Sequence, residues 1–203
     1  MRDVAIIGIG HTKFGRASKT SLELFSEAAL QAVDDAGVDL KDIEALFQGA
    51  ALPGFVEVHV TPAAVPAAEL NLGGGSIPAT RYEGACASAS IAIREAAEWV
   101  ASGQCDMVMA GGVEKALLMG TLFATRIFAM ACHAPTEGPA GLTFPGVFAM
   151  AARRYSKNYD IPIDKLREQM ALVSGKNHKP GASNPLAQFY QTMGNLKVEE
   201  EKN

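Results

Sequence analysis

The sequence predicts an α/β layered domain, and three observations carry that prediction. Short apolar runs rich in β-branched residues recur along the chain. Stretches with helical spacing and recognisable caps lie between them. The 203 residues are 48% hydrophobic and 20% charged, enough apolar material to bury a core. Strands alternating with helical patterns argue for helices layered on a sheet.

Taken in order, Val4 to Ile9 is a short apolar run and is expected as a buried strand. Thr20-Ser21-Leu22-Glu23 reads as a capping box, in which Thr20 caps the helix and Glu23 reaches back. The helix that follows lines up Leu22, Phe25, Ala29, Ala32 and Val33 and stops near Gly37. Ile43 to Leu52 supplies a second strand. Thr61-Pro62 is expected to open another helix, with proline at its first position, ending before Gly73-Gly74-Gly75.

Ile77 to Tyr82 is the third strand and Ala87 to Ser102 the next helix. That helix carries Arg94, Glu95, Glu98 and Ser102 on one side. It is small and apolar elsewhere, so burial between layers is expected. Cys105 to Ala110 is a fourth strand, closed by Gly111-Gly112. Ala116 to Pro145 reads as a long irregular excursion rich in Met, Gly and Pro. Val147 to Tyr159 and Asp164 to His178 read as helices, Asn184-Pro185 as a loop, and the charged end as frayed.

Composition removes several classes of function. A net charge of -4 without a Lys/Arg cluster argues against nucleic acid and anionic membrane partners. No apolar run reaches membrane-spanning length, and the N-terminus enters a strand without a signal-peptide pattern. Cys86, Cys105 and Cys132 form neither a disulfide framework nor a Cys-x-x-Cys pair, so no metal site is expected. A reduced, cytoplasmic protein is the expectation. Gly8-Ile9-Gly10 starts like a dinucleotide fingerprint but meets Lys13 where the third glycine belongs, and reads as a tight turn.

The segment that points to chemistry is Glu83-Gly84-Ala85-Cys86-Ala87-Ser88-Ala89-Ser90. A strand enters it and a helix leaves it, which puts the Cys86 thiol at a helix N-terminus. The unpaired N–H groups there favour thiolate, the nucleophilic form. Small neighbours leave the sulfur open to a substrate. Glu83 would oppose that ionisation if it faced the sulfur, so it is expected to point away or to be paired. A nucleophilic cysteine often uses an imidazole. The candidates are His11, His59, His133 and His178, and His178 adjoins a loop of Gly, Asn and Pro. Gly111-Gly112 permits a close backbone approach to the nucleophile helix or to a substrate.

Several segments resemble thiolases of the sterol-carrier-protein-x type. Val4 to Gly15 resembles their opening, and Pro78 to Ser88 their nucleophile segment. Asp106 to Lys115, Thr143 to Ala149, Lys176 to Lys179 and Asn184 to Phe189 are similar to further family segments, in the same order. The resemblance implies a thiolase-like layered fold: a mixed sheet with helices on both faces and a buried central helix. It implies an N-terminal core over residues 1–115 bearing the nucleophile and a loop domain over 116–189 that covers CoA. Residues 190–203 form an unmatched charged tail.

The implied activity is acyl-CoA C-acyltransfer by Claisen condensation or thiolysis, through an acyl-enzyme on Cys86 whose own N–H joins an oxyanion hole. Gly112, Phe144 and His178 are the implied substrate contacts. A CoA thioester is the substrate and no separate cofactor is needed. Family subunits form dimers or larger assemblies, and some work with a zinc-ribbon and OB-fold partner. The family's Gly-His-Pro and Cys-x-Gly segments, which supply acid and base, do not occur in these residues. The expectation is therefore a truncated thiolase, or a half that needs a partner. The alternative is a non-catalytic binding or structural subunit that pairs with another thiolase chain.

Overall fold

A computed structural model describes residues 1–116 and 119–190. The chain divides into two compact units, Met1–Thr12 with Arg16–Leu118, and Lys13–Gly15 with Met119–Asn203. Of the segment expected as a charged tail, 191–203 lies outside the described residues.

The first unit is built on three parallel strands, β1 (Ala45–Gly49), β2 (Ala79–Tyr82) and β3 (Val108–Gly112), in the order β2-β1-β3. Leu46 pairs with Ala79 on one side and Met109 on the other. Every residue of β1 is buried, as a central parallel strand covered on both faces requires. Its side chains alternate between two cores. Leu46 packs with Phe25 and Ala29 of α1 (Ser21–Ala36), Ala67 of α3 (Ala64–Glu69), Leu72 and Met109. Ala45 and Phe47 point the other way, toward Ala92 and Ala96 of α4 (Ser88–Ser102). Phe47 meets Tyr82 and Trp99 edge-on, with ring centroids 5.5 and 5.0 Å away. Such aromatic contacts add about 0.5–1.5 kcal/mol beyond simple burial.

The α1 boundaries follow from local chemistry. The Glu23 N–H donates to Thr20 Oγ1 at 3.2 Å, and the Thr20 N–H donates to the Glu23 carboxylate at 2.7 Å. Gly37 closes the helix at φ 67°, and its N–H donates to the Asp34 carbonyl.

Four expectations need correction. Val4–Ile9 forms no strand, and Val4, Ile6, Ile7 and Ile9 are exposed. A strand needs a ladder partner, and this segment is held by other groups instead. Arg2 bonds the Val100 and Cys105 carbonyls, the Ile9 N–H donates to Asp35, and the His11 N–H donates to Gln31. Gly8 and Gly10 let its backbone lie against α1, where an added Cβ would fall 2.2 Å from the Ala32 oxygen and 1.9 Å from the Ala28 oxygen.

The second correction concerns α4. Only Ser88, Ala92 and Ala96 are buried and Ile93 is exposed, so a single layer covers this helix within its unit. The third concerns the segment opened by Pro62. The helix starts at Ala64, and a short α2 (Pro53–Val56) with its own leading proline precedes it. The fourth concerns the excursion after Ala116, which contains α5 (Gly120–Ala129) and α6 (Ala134–Glu137).

The second unit adds α7 (Phe144–Asn158) and α8 (Ile163–Ser183). Thr143 caps α7 by accepting from the Gly146 N–H at 3.2 Å. The Phe14 N–H donates to the Leu186 carbonyl, which ties the 13–15 segment to this unit. Among the described residues no helix is long and apolar enough to cross a membrane.

Candidate active site

Strand β2 delivers the chain to Glu83 and Gly84, and a single 3₁₀ turn, Ala85–Ala87, carries Cys86 to the head of α4. Ala85 adopts φ +49°, in the left-handed region that costs a non-glycine residue about 1 kcal/mol. The turn is held in three ways. The Gly84 N–H donates to Ser88 Oγ at 3.0 Å, Ser88 Oγ–H donates to the Ala85 carbonyl at 2.7 Å, and the Ala87 N–H donates to the Gly84 carbonyl at 2.9 Å. Ser88 is buried, and its two hydrogen bonds in this bracket are partly buried. Strained backbone fixed by its surroundings is a feature of functional turns.

The Cys86 thiol is free and exposed. Glu83 is paired, as its position required: its carboxylate accepts the Ala85 N–H at 2.6 Å. Beneath the turn lie two glycines. A Cβ on Gly49 would stand 2.3 Å from the Ala89 nitrogen, and one on Gly112 would stand 2.6 Å from the Gly49 oxygen and 3.1 Å from Ala89 Cβ. Gly112 thus packs against the head of α4. Cys86 and Gly112 belong to the first unit, and Phe144 and His178 to the second.

Phe144 opens α7 and stacks edge-on with Phe148 at 5.3 Å. His178 lies within α8, which runs on to Ser183, so it is a helical residue and not one at a loop edge. Its Nδ1 is 2.8 Å from the Ser174 carbonyl, and its ring is 5.2 Å from that of Phe189. His133 Nδ1 is 2.8 Å from Thr136 Oγ1 at the start of α6. His59 lines a small cavity with Gln48, whose side chain lies on the α1 side of the sheet. Cys105 is buried, and burial together with Glu44 and Asp106 pushes its thiol above the usual range. That suits a structural role.

Sequence reasoning missed the Ala85 strain, the Ser88 bracket and the Gly49 contact. A glycine at the end of β1 was the available signal for the last of these. The other two depend on backbone geometry that neither residue type announces.

A parallel sheet flanked by helices, with an exposed cysteine in a tight strand-to-helix turn, defines an α/β protein of layered architecture. A family model described as the thiolase N-terminal domain matches residues 4–203. The chain belongs to the thiolase family. It is 40% identical over 192 residues to an acetyl-CoA acetyltransferase of Methanothermobacter thermautotrophicus, covering 93% of this chain and 48% of that protein. It is 41% identical to an acetyl-CoA acetyltransferase of Methanocaldococcus jannaschii, covering 93% and 46%. The solved structure of the Ltp2-ChsH2(DUF35) aldolase superposes with a TM-score of 0.58 at 28% identity, over 92% of this chain and 45% of that one. The chain spans about half the length of the relatives it matches.

Proposed function

We propose that this chain is the nucleophile-bearing half of a thiolase-type acyl-CoA C-acyltransferase. The observation that carries the reading is the exposed Cys86 sulfur, held at the head of α4 by the strained and bracketed Ala85 turn. In the proposed step the Cys86 thiolate attacks the thioester carbonyl carbon of an acyl-CoA. The carbonyl π electrons move to oxygen, which the Cys86 N–H helps to stabilise. Collapse of that intermediate expels CoA thiolate, which takes up the proton Cys86 gave away. A carbanion from a second acyl-CoA, or free CoA in the reverse direction, then removes the acyl group. The CoA thioester is substrate and no separate cofactor is invoked. Gly112, Phe144 and His178 are carried as proposed substrate contacts.

The acid and base for turnover come from a second polypeptide region equivalent to the other half of the relatives. One observation of this chain supports a partner surface: the apolar Val4–Ile9 strip is exposed. The similar aldolase bears the names of two components, Ltp2 and ChsH2(DUF35), which supports assembly with a companion chain as well.

The test is intact mass after incubation with acetyl-CoA, alone and with the complementary thiolase half, using Cys86→Ala as control. The expected result is a gain of one acetyl group that the variant loses. A wild-type chain that stays unlabelled with its complement present, while still binding the ester, overturns the catalytic reading. The non-catalytic subunit would then stand in its place.

A further inference from the structure

Gln48 is the buried polar residue that the fold leaves unexplained. It sits in the middle strand of the sheet, 1% exposed, between Phe47 and Gly49. Its Oε1 is buried and has no hydrogen-bond partner among the described residues. A buried amide oxygen without a partner costs about 1–3 kcal/mol, so a fold does not keep one idly.

The side chain faces a cavity of about 20 Å³ at the C-terminal ends of β1 and β3, on the face opposite α4. That volume is about one water molecule, which needs roughly 10–15 Å³ and two to four polar partners. The wall supplies them. Besides Gln48 it includes Glu57, Glu114 and Lys115. Lys115 Nζ donates to the Lys19 carbonyl at 2.6 Å and lies 3.6 Å from Glu57 Oε1, and an ammonium has a third proton to give. Glu57 accepts the Ser21 N–H at the head of α1, and Glu114 accepts the Ala51 and Leu52 N–H groups. Each carboxylate keeps further lone pairs. Ala50, Pro53, Val56 and Pro62 close the rest with apolar surface.

We propose that this cavity is a specific binding site for one water molecule, which donates to Gln48 Oε1 and joins β1 to the Glu57–Lys115–Glu114 cluster. The water links the central strand, the head of α1 and the segment after β3 through one polar node. It lies across the sheet from the nucleophile turn and is independent of the acyltransfer reading.

The test uses the full 203-residue chain. A high-resolution crystal structure of the wild type is expected to show one fully occupied water within hydrogen-bond distance of Gln48 Oε1. An empty cavity, or a density that scatters as an ion, overturns the proposal. Gln48→Met keeps the volume and removes the amide. If water satisfies the amide, the variant melts about 2–4 °C below wild type. If the oxygen is truly orphaned, removing it raises the midpoint, which also overturns the proposal. Should the variant fail to fold, the wild-type density decides alone.

Discussion

Gly49 lies directly under Ala89: a methyl group on Gly49 would sit 2.3 Å from the Ala89 nitrogen and 2.4 Å from its Cα. The neighbouring atoms are backbone of α4, which cannot swing aside as a side-chain tip would. The end of the central strand and the first turn of α4 are therefore seated on each other. Gly112 extends the seat from β3, against the Gly49 oxygen and Ala89 Cβ.

Gly49→Ala is expected to push the head of α4 off the sheet. Overpacking of this kind costs about 1–3 kcal/mol. Urea denaturation should show a lower midpoint, and alkylation of Cys86 should change rate because its turn moves. An unchanged midpoint with unchanged Cys86 reactivity would disprove the seat.

Thr20→Ala removes the side chain that accepts the Glu23 N–H at 3.2 Å and that pairs with the Glu23 carboxylate in return. Loss of such a cap costs about 0.5–2 kcal/mol. Thr20→Ser, which keeps the oxygen, should recover most of it. Denaturant midpoints of the two variants against wild type decide the matter.

The Glu57 carboxyl makes stability depend on acid. Burial alone would raise its pKa, but hydrogen bonds from Ser21 and the nearby Lys115 outweigh burial, so it lies below its ordinary 4.5. A group whose folded value is depressed adds stability above its unfolded value. That share is lost as pH falls through the lower folded value. The Glu23 carboxyl is also lowered, chiefly by its bond with the Thr20 backbone, so wild-type acid sensitivity has several sources. Glu57→Gln isolates one of them. Its midpoint should fall less than wild type's between neutral pH and pH below 4.5. Parallel pH profiles for the two proteins would remove Glu57 from the account.

The three thiols should separate by reactivity. Cys86 is exposed, Cys132 is partly exposed, and Cys105 is buried with its thiol pushed up by burial, Glu44 and Asp106. Limited alkylation near neutral pH, followed by peptide mass mapping, should find Cys105 modified last. Early modification of Cys105 would contradict the packing of Phe47, Ala96 and Cys105 in one core.

What could be read from the sequence was what short-range chemistry decides. The capping box at Thr20 and the left-handed Gly37 close α1 by contacts within a few residues, so residue types alone locate both ends. The strand, turn and helix around Cys86 were legible for the same reason. Val4–Ile9 was not, because an apolar run becomes a strand only beside another strand, and here its neighbours are α1 and the Arg2 contacts. Ala85 in the left-handed region has no signature in its residue type. Gln48 reads as one polar position in a strand, and its significance comes from the cavity that three distant segments close around it.

The Val4–Ile9 strip makes a prediction about assembly. Ile6 is 80% exposed and Ile9 74%, with Ile7 and Val4 beside them, on a segment whose backbone is pinned to α1. A contiguous apolar strip of this kind is unstable in water and seeks cover. In the proposed complex the other thiolase half provides that cover. Without it, copies of this chain should cover one another. Sedimentation velocity over a range of concentrations should show wild-type self-association. A double variant, Ile6→Lys with Ile9→Lys, should shift the distribution toward monomer while leaving the α1 cap and the far-UV spectrum intact. The same variant should bind the complementary half more weakly, because two charges would then be buried without partners. A wild-type chain that stays monomeric at high concentration, or a variant that binds its complement as well as wild type, would show that the strip is solvent-facing surface and that the contact lies elsewhere.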